Sequence, residues 1–219
     1  ESRDKIAEII GYEIDRELKN KDSAKNWYSD KMVKAMDNMA KIYPELKDDI
    51  NAESTFKVGL AITSNGTSVA DNLKMADKVY EYYKQNNRFP TDWKIYGQET
   101  DAINVGFKKY NKLVDILGWD GANKFLNTEF KVGDLKSKGI KVSGELVDYK
   151  VPGAVIFGPK IGGAFYANLM GKYEYLTMDR WFMRTIGRIR GTLYTSKDYK
   201  KQINEFKHFL RQSKSTQKL

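Results

Sequence analysis

The chain has 219 residues, of which 41% are hydrophobic and 31% charged, enough for one domain with a sizeable core or for two lobes around a cleft. It has no apolar run of membrane-spanning length and no cysteine, which excludes a transmembrane helix, disulfide bonds and iron–sulfur clusters held by cysteines. The net charge of +9 favours nucleic acid or another anionic surface as partner, although lysine-rich genome usage also produces such a balance. We therefore expect a cytoplasmic protein without membrane association.

Apolar residues recur at helical spacing over most of the chain, which predicts a mostly α fold. The predicted helices cover Asp4–Leu18, Trp27–Tyr43, Ser54–Ile62, Asp101–Leu117, Asp120–Phe125 and Ser196–Arg211. A further helix begins behind Thr67 or Ser68, either of which can cap it, and runs to about Lys84.

Two segments depart from this helical pattern. Trp93–Gln98 has the character of a short extended segment. The region from Thr128 to Lys150 is rich in glycine and alternates apolar and polar residues around Ile140, which predicts a loop or a small β-hairpin.

The sequence from Gly158 to Gly162, Gly-Pro-Lys-Ile-Gly, has two glycines and a proline, a composition typical of a tight turn. An apolar helix is predicted after it, over Gly163–Leu169. Backbone N–H groups at such a turn and at a helix N-terminus can bind an anion such as a DNA phosphate. A glycine-rich entry to a helix can also serve chain reversal alone.

Asp179 precedes an aromatic and arginine-rich run that contains Trp181 and Arg184. An aspartate at this place is a good helix N-cap, because its carboxylate accepts the free N–H groups of the first turn. A capping carboxylate is also held in a fixed direction and can present one oxygen to a cleft. Capping and catalysis are both compatible with this pattern.

These residues resemble the helix–hairpin–helix DNA glycosylases, the family of endonuclease III. The family hairpin reads roughly Leu-Pro-Gly-Val-Gly, to which Gly158–Gly162 is similar, and a Val-Asp-x-His-x-x-Arg segment follows, to which Met178–Arg184 is similar. A second block, Ile62–Asn72, is similar without a gap to the family pattern Leu-Ser-x-Gln-x-Thr-x-Val-x-x-Asn. The resemblance spans about Phe56 to Arg188.

The resemblance implies a role for each matching residue. Asp179 would be the catalytic carboxylate, and Asn65 would fill the gap that an extruded base leaves in the duplex. Trp181 would line the base pocket or pack in the core, and Arg184 would contact a phosphate or pair within the protein. The hairpin would hold a phosphate, directly or through a monovalent cation on its backbone, and its residues are Pro159, Lys160, Ile161, Gly162 and Gly163.

Three departures from the family limit the predicted chemistry. Ala164 stands where members that also cut the strand have a lysine, so the resemblance implies base excision by water alone, unless Lys160 or Lys172 substitutes. The cysteines of the family's iron–sulfur cluster are missing, and Trp181 replaces the usual histidine. We expect no metal held by side chains and no other cofactor.

In architecture, the resemblance implies a two-lobed helical fold with a helix–hairpin–helix motif. One lobe would combine residues 1–54 with 173–219 and carry Asp179, and the other would cover 55–172 and carry the hairpin. The predicted function is a monofunctional DNA glycosylase, a monomer that acts on a damaged, modified or mismatched base in double-stranded DNA. The alternatives are a non-catalytic DNA-binding or phage virion-associated helical protein, and a structural helical protein whose two blocks match by chance.

Overall fold

The computed structural model describes residues 3–19, 27–94, 100–142 and 147–177, together with positions 184, 185, 187 and 189. The chain divides into two compact units, one formed by both chain ends (Glu1–Trp27 and Met178–Leu219) and one formed by Tyr28–Thr177. The described part is mostly helical, as periodicity predicted. The predicted lobes, with boundaries near residues 54 and 172, stay a prediction.

In the unit formed by the chain ends, the structure describes helix α1, Arg3–Lys19. It coincides with the helix predicted over Asp4–Leu18. The helix predicted over Ser196–Arg211 lies outside the described residues.

The second unit is built around helix α4. Helix α2 spans Trp27–Ile42 and the single turn α3 spans Glu45–Asp48. Helix α4, Ile50–Thr63, begins at Asp49, whose carboxylate accepts from the N–H groups of Asn51 and Ala52. That cap explains why α4 starts four residues before the predicted Ser54.

Helix α4 is buried on nearly all sides, which is the behaviour of a helix without a polar face. It packs against α3, against helix α5 (Val69–Asn86) and against helix α6 (Thr100–Asn127). Helix α5 begins behind Ser68, which accepts from the N–H of Asp71 as predicted. Gly118, at φ 70°, kinks α6 between the two helices that the sequence predicted there.

The region after α6 contains the short strands β1 (Glu129–Lys131) and β2 (Lys150–Pro152). They pair antiparallel, with Phe130 opposite Val151, and helix α7 (Val132–Ser137) lies between them in sequence. The paired strands lie at the two ends of the region, whereas Ile140, around which the alternation predicted a loop or small hairpin, lies in no strand, and α7 is a helix that the sequence did not predict. Of the predicted extended segment, only residues 93 and 94 are described, and they form no regular structure.

The chain then forms a 3₁₀ segment (Gly153–Phe157), a π-helix (Ile161–Tyr166) and the short helix α8 (Ala167–Leu169). The π-helix packs against α4, and the 3₁₀ segment packs against α6. The core of this unit is rich in aromatic residues. The Phe89 ring lies 5.1 Å from that of Phe107 and 4.8 Å from that of Tyr110.

Candidate nucleic-acid interface

Asn65 lies in a turn between α4 and α5, Ser64–Gly66, which we call the Asn65 turn. Gly66 adopts φ 77°, a conformation that glycine takes without strain. The Thr67 hydroxyl donates to the Thr63 carbonyl at 2.9 Å, which ties the two sides of the turn together. Asn65 itself is half-buried, and no hydrogen bond of its side chain is recorded within the described part of the chain. Its amide is therefore held at the surface without an internal partner there.

The residues that match the family hairpin form a turn over Gly158–Lys160, which we call the Gly158 turn. Gly158 adopts φ 106°, and its N–H donates to Val155 O at 2.8 Å. Pro159 is exposed, while Lys160 and Ile161 are half-buried. Helical geometry starts at Ile161, two residues before the predicted Gly163. The element before the turn is a 3₁₀ segment of five residues in place of the family's α-helix.

The amides of Gly162 and Gly163 are satisfied inside this segment. Both donate to the carbonyl of Gly158, at 3.0 and 3.1 Å. They are directed along the π-helix, so a phosphate at the turn would have to use other groups, such as the Lys160 side chain. The predicted contacts of both glycines with phosphate or a cation stay a prediction.

The structure gives Gly162 a second role, which is close packing. A Cβ atom on Gly162 would lie 1.6 Å from the Ala154 carbonyl oxygen, so no larger residue fits without moving the 3₁₀ segment. Gly153 is constrained in the same way, since its Cβ would lie 2.1 Å from Phe125 O. Gly163 has more room, with Val155 Cγ2 at 3.3 Å.

Contacts along α6 show where the two turns lie in the unit. In the first half of α6, a Cβ on Gly106 would come within 2.8 Å of Ile62 Cγ2, so α6 touches the last turn of α4 there. One turn later, the Lys109 ammonium donates to Ile156 O at 2.7 Å, just before Gly158.

The second half of α6, beyond the kink at Gly118, makes different contacts. Asn123 accepts from the Ser54 hydroxyl near the start of α4, at 3.1 Å, and Asn127 donates to the Tyr166 hydroxyl at the end of the π-helix, at 3.0 Å. The segments that lead into the Asn65 turn and the Gly158 turn therefore both contact the first half of α6, within one helical turn of each other.

A buried hydrogen-bond network fixes the π-helix to the core, and sequence analysis did not predict it. The hydroxyls of Tyr166 and Ser54 lie 2.7 Å apart. The network continues through Asn123 to Tyr110, at 3.3 Å. Thr55 lies 2.9 Å from the Tyr110 hydroxyl and accepts from the Trp119 indole at 2.7 Å. The sequence feature that could have indicated this network is the presence of polar residues in the otherwise apolar helix α4.

Burial raises the pKa of the Tyr110 and Tyr166 hydroxyls above that of free tyrosine. Both therefore stay protonated at neutral pH and can donate within the network. A neutral, mutually satisfied network is what a low-dielectric interior requires, since an unpaired polar group there costs about 1–3 kcal/mol.

The structure also describes the positions that decide whether a lysine could attack the sugar. Ala164 is buried in the π-helix. The Lys172 ammonium donates to the Asn127 carbonyl at 2.6 Å, where it acts as a cap for the end of α6. Lys160 is the last residue of the Gly158 turn and is half-buried.

Asp179 and Trp181 lie outside the described residues, so their predicted roles stay predictions. Arg184 is helical, half-buried and in contact with another residue. In the described part of the chain, no group of three or more His, Asp or Glu side chains is placed to hold a metal ion. None of the described helices is long and apolar enough to cross a membrane.

No protein-family model, curated protein or solved structure matches this chain. The site is therefore defined by its own residues and by the geometry around the two turns.

An open cavity of about 430 Å³ lies in the chain segment that connects β1 to β2. It is lined by Lys136, Gly139, Ile140, Lys141 and Val142. None of these residues belongs to either of the two blocks, and the sequence did not indicate the cavity.

Proposed function

We propose that the protein binds double-stranded DNA and excises a damaged, modified or mismatched base as a monofunctional DNA glycosylase of the helix–hairpin–helix type. The observation that carries the proposal is that the segments leading into the two turns contact the same stretch of α6. Asn65 and Gly158 are far apart in sequence, yet α6 contacts the last turn of α4 at Gly106 and the 3₁₀ segment before Gly158 at Lys109, within one helical turn. One DNA duplex can contact both turns only if they share a surface.

A glycosylase must extrude the target nucleotide, since the glycosidic carbon is inaccessible in stacked duplex. In this proposal Asn65 enters the duplex where the base has left. Its side-chain amide, for which no hydrogen bond is recorded among the described residues, contacts the bases there. Because asparagine is shorter than the glutamine of the family pattern, it fills less of the gap. The Gly158 turn contacts the backbone beside the lesion through Lys160.

Asp179 is the proposed catalytic carboxylate. Cleavage of the glycosidic bond builds positive charge on the sugar, and a carboxylate stabilises that charge or removes a proton from the attacking water. The products are the free base and an abasic site in the intact strand. Trp181 is proposed to stack on the extruded base, and Arg184 to contact a phosphate.

The absence of a strand-cutting step is supported by the lysine positions. A Schiff base requires a neutral amine that can reach the sugar. Ala164 offers no amine, Lys172 donates to Asn127 O from a partly buried position, and Lys160, half-buried in the Gly158 turn, is proposed to contact the phosphate backbone. Alkali-sensitive abasic sites, without spontaneous strand breaks, are therefore the expected product.

A second candidate function is DNA binding without turnover. The observation in its favour is that Gly162 and Gly163 use their amides within the π-helix, which leaves fewer donors for a phosphate than the family hairpin has. The two functions share the DNA surface and differ only in whether a base is released.

The experiment that tests the proposal is incubation with a panel of alkylated, oxidised, mismatched and phage-modified duplexes. Released base is measured by mass spectrometry and abasic sites by alkali cleavage. We expect release by the wild type and none by Asp179→Asn, with DNA affinity nearly unchanged. The exposed Asp92→Asn variant makes the same charge change and should keep full activity. Equal release by wild type and Asp179→Asn would remove the role of Asp179, and binding without release would favour the second function.

A further inference from the structure

The exposed side of the first half of α6 carries three lysines, Lys108, Lys109 and Lys112, which we call the α6 lysine face. Residues three and four apart are neighbours on a helix, so these ammonium groups lie side by side. All three are exposed, with Val105 and Ile116 on the same side of the helix.

The charge of this face is largely uncompensated. Within the described part of the chain, no ion pair is recorded for Lys108 or Lys112. The neighbouring carboxylate of Asp115 already accepts two hydrogen bonds from the Arg88 guanidinium, of 2.9 and 3.1 Å. Asp101 is exposed on this side too, but two helical turns before Lys108, about 10 Å along the axis.

Like charges three or four residues apart repel one another and slightly destabilise a helix. An uncompensated cluster also produces a positive potential that attracts anions, most strongly at low salt. The cost is offset when an anion with regularly spaced charges lies against the cluster, and the phosphate backbone of DNA is such an anion.

The location of the face connects it to the proposed DNA surface. Lys109 donates to Ile156 O, two residues before Gly158, so one edge of the face touches the segment that leads into the Gly158 turn. Gly106, one turn earlier on the buried side of α6, contacts the last turn of α4 before Asn65. The face therefore lies on the stretch of α6 that contacts the segments leading into both turns.

We propose that the α6 lysine face binds phosphates of duplex DNA and extends the contact surface beyond the two turns. Lys108 and Lys112 make the phosphate contacts, and Lys109 fixes the 3₁₀ segment beside them. The proposal rests on the proposed function for its partner, DNA, and assigns that partner a surface that neither sequence block contains.

The test is the salt dependence of binding to a short unmodified duplex, compared between wild type and the double variant Lys108→Gln with Lys112→Gln. Each phosphate contact contributes about 0.9 to the slope of log affinity against log salt concentration, so the slope should fall by about 1.8. A fourfold rise in salt then weakens the double variant about 12-fold less than it weakens the wild type. Lys109 is kept, because its ammonium supports the 3₁₀ segment.

The matched control is Lys74→Gln with Lys78→Gln. These lysines are exposed, four residues apart on α5, and have no recorded ion pair within the described residues, so the net charge changes equally. We expect the control to keep the wild-type slope. Equal slopes for the two double variants would overturn the proposal, and so would a wild type that does not bind duplex DNA.

The two proposals fail separately. A wild type that binds duplex with the expected slope change but releases no base from the panel contradicts the glycosylase function and leaves the lysine face intact. A wild type that releases base while both double variants keep its slope contradicts the lysine face alone.

Discussion

The Asn65 turn and the Gly158 segment, by which we mean the Gly158 turn with the π-helix that follows it, have the same kind of sequence pattern, a glycine-containing turn followed by a helix. The glycines have different roles in the two structures. In the Asn65 turn, Gly66 permits a positive φ of 77°. In the Gly158 segment, Gly158 has that role at φ 106°, whereas Gly162 is helical and makes room for the Ala154 carbonyl. A glycine before a helix can therefore serve conformation, close packing or ligand binding, and only the neighbouring atoms distinguish them.

The largest expected effect is that of Gly162→Ala. The added Cβ would overlap Ala154 O, which lies 1.6 Å away, and we expect the free energy of unfolding to fall by about 3 kcal/mol. Urea unfolding of the purified variant measures it. Gly163→Ala is the control, because its Cβ would meet Val155 Cγ2 at 3.3 Å and should cost less than about 1 kcal/mol. Equal losses in the two variants would contradict the packing role of Gly162.

A smaller effect is expected for Tyr166→Phe. The hydroxyl joins Ser54 to Asn127, and its removal leaves each with one partner fewer, so unfolding should become easier by about 1–2 kcal/mol. Tyr173→Phe, at an 81% exposed tyrosine, should leave stability unchanged. If both variants unfold at the same urea concentration as wild type, the network does not hold the π-helix.

The same variant has a pH signature. Because burial raises the pKa of Tyr166 in the folded protein, the unfolded chain loses its proton first as the pH rises above about 10. The folded state then binds more protons than the unfolded state, so wild-type stability falls in that range. Tyr166→Phe should show a shallower fall, measured by urea unfolding at several alkaline pH values, and an equally steep fall in this variant would contradict the linkage.

The smallest effect on stability is expected for Asn65→Ala. Its side chain has no recorded hydrogen bond within the described residues, so the free energy of unfolding should change by less than about 0.5 kcal/mol. Base release, by contrast, should fall several-fold if Asn65 enters the duplex. Asn38→Ala, at an exposed asparagine of α2, should alter neither quantity. A large loss of stability in Asn65→Ala would show that the turn depends on that side chain for folding.

Together these variants distinguish residues whose contacts stabilise the fold from a residue whose contacts are proposed to be with DNA. Gly162 and Tyr166 should respond in stability, because their contacts lie inside the unit. Asn65 should respond in DNA chemistry, because its contacts are proposed to lie outside it.

Most helices were predictable from the sequence, since their signals are local. Thr67 and Ser68 both precede an apolar periodic run and can cap the helix, and the structure assigns the cap to Ser68, which accepts from Asp71 N. The break between the two predicted helices near Gly118 appears as a kink within α6. The start of α4, which differs from the predicted Ser54, has a local cause as well, because the carboxylate of Asp49 caps the helix four residues earlier.

The candidate site was less predictable, because it depends on which segments meet. Nothing in the sequence around Gly162 indicates that the Ala154 carbonyl lies against it, and nothing around Lys109 indicates that its ammonium reaches Ile156 O. The pairing of Ser54 with Tyr166 joins residues 112 positions apart. Periodicity predicts that a face is buried but does not identify the atoms opposite it.

The sequence by itself determined the mostly α character, the bounds of the long described helices to within a few residues and the basic balance, because spacing, capping and charge act within a few residues of the chain. The tertiary structure alone decided that Gly162 packs against backbone, that Tyr166 fixes the π-helix, and that the segments leading into the two turns contact the stretch of α6 that carries the lysine face. Those outcomes follow from contacts between distant segments, whose geometry is set only when α4 becomes the centre of the packed core.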